Sequence, residues 1–168
     1  AIKSFVTHDS PMYIRLTGGS NNQPVYNKDY KFKIGKNVVL KKGDDITIFA
    51  TGTMVYESLI TSLMLEKKGI SAAVINVHTI KPLDKKNIFR YSKGKKLVVT
   101  VEEHSTIGGL GSAIAEQLIT KDNMPRQVFL GLQDNYNMTG SYNYVKEKNG
   151  LTAKLISKKI TQAYDKIK

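Results

Sequence analysis

The chain has 168 residues, no cysteine, and 26 Lys plus Arg against 14 Asp plus Glu, a formal charge of +12. That length suits one compact domain with a tail or linker attached, and a 40% hydrophobic share is enough to form a core. Without cysteine, a disulfide framework, a thiolate zinc site and a cysteine nucleophile are excluded. No apolar run approaches the roughly 20 residues that cross a bilayer, and no signal peptide pattern opens the chain, so a cytoplasmic protein without membrane contact is expected. A start at Ala1 rather than Met suits a piece of something longer. Only Arg15, Arg90 and Arg126 are arginines, and the lysines are scattered in pairs such as Lys67-Lys68 and Lys95-Lys96. Nucleic-acid readers lean on arginine forks, so the charge is read as a solvated lysine surface and no nucleic acid is expected.

In chain order, residues 1–10 look like the end of an element, and Pro11 leads into a short β-rich run over 12–16. Thr17 to Pro24 is the strongest loop signal. Residues 25–42 suggest an extended connection with a strand near 37–40. The apolar run 46–50 predicts a strand buried on both faces. Helical spacing of Val55, Leu59, Leu63 and Leu65 predicts a helix over 55–68, closed by Lys67-Lys68-Gly69. Residues 72–77 form a second buried strand, and Asp84 is the expected N-cap of a short helix. A third buried strand covers 97–101, a helix 113–119 and a fourth strand 128–132. Residues 133–150 form a polar, Tyr-rich excursion. A terminal amphipathic helix over 151–168 places Leu155, Ile156, Ile160 and Ala163 on one side. This alternation predicts an α/β fold: a mostly parallel sheet of about five strands with right-handed crossovers and helices on both faces.

Two clusters invite a chemical reading. Gly108-Gly109-Leu110-Gly111 follows a strand and precedes a helix, where a phosphate-cradling loop would sit. The spacing fits neither a dinucleotide fingerprint nor a P-loop, and a tight turn that lets helix and sheet approach is the plainer account. Glu102, Glu103 and His104 end the third buried strand, at the sheet edge where open α/β folds bind ligands. Neighbouring strand residues point to opposite faces, so the two glutamates cannot act as one pair. His78 ends the second strand at the same edge. A histidine pair without a third ligand is weak ground for a metal, so a structural or interface role suits both better. No self-contained active site emerges.

The runs GDDITIFATGTMVYESL, VINVHTIKPLD and VVTVEEHSTIGGLGSAIAE, with Asp134, Tyr136, Gly140 and Gly150-Leu151-Thr152 in the tail, resemble the C-terminal domain of transketolase. The likeness is strongest to the separately encoded C-terminal half of split transketolases. The resemblance implies residues 1–23 as the closing segment of a pyrimidine-binding domain, 24–43 as linker and antiparallel edge strand, and 44–168 as the C-terminal domain. It further implies thiamine diphosphate and Mg2+ in the complete enzyme, with neither bound by this chain alone and no catalytic residue in it. The implied partner is an N-terminal, thiamine-diphosphate-binding portion or subunit, within a homodimer or heterotetramer acting on a sugar or sugar phosphate by two-carbon ketol transfer. The isolated chain is expected to be inactive.

By the same resemblance, Arg15 with Gly18 and Gly19 lies in the substrate-binding position of the closing strand. Gly18 stands where sugar-phosphate enzymes of the family carry a second arginine, and glycine offers no guanidinium to grip a phosphate. His78, Glu103, His104, Gly108 and Gly109 are implied at a domain interface or active-site rim. Related readings are 1-deoxy-xylulose-5-phosphate synthase and the beta subunit of a 2-oxo-acid dehydrogenase. A non-catalytic interaction module is the reading from another class.

Overall fold

The computed structural model describes residues 2–16, 23–26, 29–136 and 138–167. Its centre is a five-stranded sheet of β1 (Val38–Lys41), β2 (Ile46–Ala50), β3 (Ala72–Asn76), β4 (Leu97–Ser105) and β5 (Arg126–Leu132), in the order β1-β3-β2-β4-β5. β2 to β5 run parallel and β1 joins the edge of β3 antiparallel. The expected mixed sheet with one antiparallel edge strand is therefore present. Continuous apolar runs make the three inner strands because both faces are covered: every residue of β2 and β3 is buried.

The helices are α1 (Ile2–Val6), α2 (Met54–Glu66), α3 (Lys85–Ser92), α4 (Leu110–Leu118), α5 (Tyr142–Lys148) and α6 (Ala153–Asp165). Alternation along the strands sorts the core into two layers. Ile46, Ile48, Ala50, Val74, Val99 and Val101 pack with α2 and α6. Phe49, Ile75 and Val98 pack with α3 and α4 on the other face. From β2 the chain moves to one side through α2, then crosses to the opposite side through α3. The switch point therefore lies between the carboxyl ends of β2 and β4, where open α/β sheets form their crevice.

Several expectations are corrected. Residues 12–16 form no strand, and Tyr13 is 88% exposed, because among the described residues no strand lies beside them to accept the pairing. The buried side of α2 is Met54, Val55, Ser58, Thr61, Ser62 and Leu65, whereas Leu63 is 49% exposed. Thr61 faces α6 and donates to the Ala153 carbonyl at 3.2 Å. Helix α4 begins three residues earlier than its apolar spacing suggests, so Leu110 and Gly111 lie inside it. The Tyr-rich excursion contains α5, capped by Ser141, which accepts from Tyr144 N. In α6 the buried set is Ala153, Ile156, Ser157, Ile160 and Tyr164. Leu155 and Ala163 are only half-buried.

Candidate functional site at the carboxyl edge of the sheet

The end of β4 sends two adjacent carboxylates to opposite sides. Glu102, 2% exposed, accepts from Leu110 N at 2.7 Å and from Gly111 N at 2.8 Å. It thereby satisfies the first free amides of α4 and places negative charge at the positive end of that helix. The glycines make this approach possible. A Cβ on Gly109 would overlap the Glu102 carboxylate, and one on Gly111 would overlap the Phe129 ring. Of the two accounts of this glycine cluster, close packing is the one the geometry supports, because the place of a phosphate is filled by a side chain of the same chain. Gly108 is exposed at φ 73°, a left-handed conformation that favours glycine, and its N–H donates to Ser112 Oγ at 3.0 Å.

Glu103 turns toward the switch-point crevice. It accepts from the hydroxyl of Thr53, the residue before α2, and from Tyr142 at 2.9 Å. Burial pushes the Tyr142 hydroxyl above its ordinary value; Thr53 opposes this and the Glu103 carboxylate adds to it. Beside this triad, Lys146 pairs with Glu57 at 2.5 Å, with both side chains 15% exposed. The second oxygen of Glu57 accepts from Ala153 N at 2.7 Å and so closes the start of α6. Thr53, Tyr142, Glu57 and Lys146 are absent from the sequence-derived set. The tyrosines of residues 136–144 were the signal that could have pointed to Tyr142.

The two histidines are not brought together. β2 lies between β3 and β4, so their ends stand roughly 10 Å apart, two strand spacings. His78 packs under Phe32 with ring centroids 4.4 Å apart, its Nδ1 lies 2.9 Å from Thr79 Oγ1, and its Nε2 is buried without a partner. Burial lowers its proton affinity. His104 is exposed, with its Nδ1 3.2 Å from the neighbouring Ser105 carbonyl. Among the described residues no three His, Asp or Glu side chains are placed to hold a metal ion.

The connection before β1 straps across the end of β3. Asn76 donates to Tyr26 OH at 2.7 Å, and Tyr26 stacks on Tyr30 at 4.1 Å. Asp84 caps α3 as expected, accepting from Asn87 N, and also accepts from Asn37 N at 3.0 Å. Burial would raise its carboxyl, but the bonds from Asn37 and Asn87 outweigh it and hold the group below its ordinary value. Arg15 is exposed and belongs to no element; Gly18 and Gly19 lie outside the described residues.

These carboxylates decide how the described residues suit a diphosphate and its cation. The starts of α3, α4 and α6 are closed by Asp84, Glu102 and Glu57. A diphosphate would meet a carboxylate at each of these three starts, whereas the start of α2 at Thr53 carries no side-chain cap. The fold and this edge thus define an α/β module in which the starts of α3, α4 and α6 are closed by carboxylates of the same chain. Among the described residues, no helix is long and apolar enough to cross a membrane.

Comparison with known proteins narrows the class. The family model for the transketolase C-terminal domain matches residues 35–156. A 6-deoxy-6-sulfo-D-fructose transketolase subunit from Clostridium sp. (strain MSTE9) is 43% identical over 160 residues, covering 93% of this chain and 48% of the relative. A 1-deoxy-D-xylulose-5-phosphate synthase from Desulforudis audaxviator is 35% identical over 153 residues, covering 90% of this chain and 24% of the relative. Among solved structures, a split gene transketolase described as an inactive beta4 tetramer superimposes with a TM-score of 0.80 at 36% identity. That match covers 87% of this chain and 48% of the other. The chain belongs to the transketolase family, as its C-terminal domain. It spans about half the length of the split-type relatives it matches.

Proposed function

We propose that this chain is the C-terminal portion of a thiamine-diphosphate-dependent enzyme that moves a two-carbon ketol unit between sugars. The observation that carries the reading is the match to the C-terminal half of split-type relatives, in a fold where Glu57, Asp84 and Glu102 close three helix starts. Such a module supports a site assembled elsewhere. An N-terminal portion or subunit supplies the grip on cofactor and Mg2+, in a homodimer or heterotetramer, and the enzyme works in the cytoplasm. Residues 1–23 close that portion's pyrimidine-binding domain, residues 24–43 are the connection, and residues 44–168 are the C-terminal domain. Alone, the chain turns over no sugar.

The rim of the assembled site is formed by Glu103, His104 and Gly108, with His78 under the connecting strap. Gly109 serves this rim by letting Glu102 close α4. Arg15 with Gly18 and Gly19 faces the substrate. With glycine in the second arginine position, the preferred sugar carries an anion other than phosphate or none, a reading to which the sulfosugar named for one relative lends support. The test is to co-express the chain with the product of the coding sequence immediately upstream. Ketol transfer is then assayed from phosphorylated, sulfonated and unsubstituted ketoses, with the isolated chain as control. Activity only in the pair, weakest on the phosphorylated sugar, is expected. Turnover by the isolated chain overturns the reading, and a strong preference for phosphate overturns its substrate part.

The relationship to 1-deoxy-D-xylulose-5-phosphate synthase favours one second reading, synthesis of that deoxysugar phosphate. Assaying the same pair for formation of 1-deoxy-D-xylulose 5-phosphate separates the two.

A further inference from the structure

Glu103 stands apart from the other carboxylates of the fold. Among the described residues, five are buried or half-buried: Asp45, Glu57, Asp84, Glu102 and Glu103. Asp45 accepts from Ser71 N at 2.8 Å and pairs with Lys96. Glu57 has Lys146 and the Ala153 amide, Asp84 the Asn37 and Asn87 amides, and Glu102 two amides of α4. In a chain of formal charge +12, neither a described cation nor a described backbone amide reaches Glu103.

Its two hydroxyl donors, Thr53 and Tyr142, converge on the same oxygen, Oε2. Oε1 has no described partner and is not sealed from solvent. The carboxylate is thus oriented through one oxygen and open at the other. A half-buried anion in this state has lost hydration without gaining a countercharge, and a cation from outside the chain would supply it. On the same edge, Ile107 after β4, Tyr136 and Met138 after β5, and Tyr142 at the start of α5 are exposed. α5 itself buries none of its residues. Aromatic side chains and methionine around one charge compose the centre of a protein–protein interface rather than a solvated face.

We propose that Glu103 Oε1 receives a cationic side chain of the N-terminal portion or subunit, with α5, Tyr136, Met138 and Ile107 as the apolar surround of that ion pair. The inference rests on the catalytic reading above for the existence of the partner, and adds where and through which charge it docks. With Oε2 filled by two hydroxyls, a forked guanidinium cannot grip both oxygens. The contact is therefore end-on, from an ammonium or from one arm of an arginine. A sulfonated or phosphorylated sugar would be repelled by the same carboxylate, which favours a protein cation over a substrate at this position.

Carbodiimide coupling of an amine to open carboxylates, read by mass spectrometry, tests it on the wild-type chain, alone and co-expressed with the product of the coding sequence immediately upstream. Glu103 is expected to take the label in the isolated chain and to lose it in the pair. Exposed Asp165, at the far end of α6, should take it in both. Glu103→Gln, which keeps the shape and removes the charge, should weaken the pair at least about tenfold by sedimentation velocity. Asp165→Asn should change it less than about twofold. Equal labelling of Glu103 alone and in a pair that transfers ketol units, or wild-type affinity of Glu103→Gln in that pair, overturns the inference and leaves the catalytic reading standing. A wild-type chain that forms no pair overturns both. Protection of Glu103 that appears only when a ketose is added places a substrate hydroxyl there and also overturns the inference. If Glu103→Gln does not fold by circular dichroism, the labelling decides: loss of label in the pair supports the docking and its persistence overturns it.

Discussion

The two sides of the β4 carboxyl end hold the same residue type in opposite circumstances. On one side Glu102 is sealed beneath α4, with both oxygens on backbone amides and glycines pressed against it. On the other, Glu103 sits at a partly open crevice and is held by the hydroxyls of Thr53 and Tyr142. Backbone donors are fixed by the fold, whereas hydroxyl donors on a side chain rotate and can be exchanged. One carboxylate therefore belongs to the architecture, and its neighbour is available to whatever approaches the edge.

The sharpest way to break this contrast is to fill the space around the sealed carboxylate. Gly109→Ala or Gly111→Ala should destabilise the chain by about 3 kcal/mol, as overpacking against the carboxylate or the Phe129 ring. Thermal unfolding should show a fall of roughly 6–12 °C in Tm. Glu102→Ala relieves that crowding but leaves two α4 amides without partners, for an expected loss of about 2–3 kcal/mol in urea titrations. Glu57→Ala strands Lys146 and the Ala153 amide, with about 2 kcal/mol lost and exchange at the start of α6 accelerated.

A smaller, pH-dependent effect is expected at His78. Because burial lowers its proton affinity in the folded chain, the unfolded chain takes up a proton first as the solution is acidified. Stability contributed by neutral His78 is therefore complete well above pH about 6.5 and declines below it, until the folded value is passed. Wild-type Tm should fall between neutral and mildly acidic pH, and His78→Gln should flatten that part of the profile. The least effect on folding is expected from Glu103→Gln and Tyr142→Phe, each under about 1 kcal/mol, with their consequences appearing in the assembled enzyme's KM or kcat. Equal destabilisation by Glu103→Gln and Glu102→Ala would erase the distinction between the two sides.

What was legible in the sequence follows from what carries each element. β2, β3 and β4 are buried on both faces, and their unbroken apolar runs announce this without help from the rest of the chain. The cap of α3 was readable because Asp84 acts locally, on an amide three residues on. α5 was not readable: Tyr-Asn-Tyr-Val-Lys-Glu-Lys has no apolar stripe, and the helix is held by Ser141 at its start and by Lys146 reaching Glu57. The inner face of α2 was partly read: Val55, Leu59 and Leu65 do face the core, but Leu63 does not, and Thr61 meets α6 through a hydroxyl that no apolar spacing reveals. The edge chemistry was half visible. Opposite facing of Glu102 and Glu103 follows from strand geometry, but their partners come from segments 8 to 50 residues away in the sequence, and no spacing rule reaches them.

The carboxylates that tie this module together have a consequence for its behaviour in solution. Asp45, Glu57, Asp84, Glu102 and Glu103 are all turned to partners within the fold, while no described lysine is buried. Solvent thus meets a body whose outer shell is more one-sidedly cationic than the formal +12 suggests. Like bodies of this kind repel at low ionic strength, and screening within about 10 Å at 0.1 M salt removes that repulsion. Two such bodies should therefore approach one another more readily as salt is added, the reverse of partners drawn together by opposite charge.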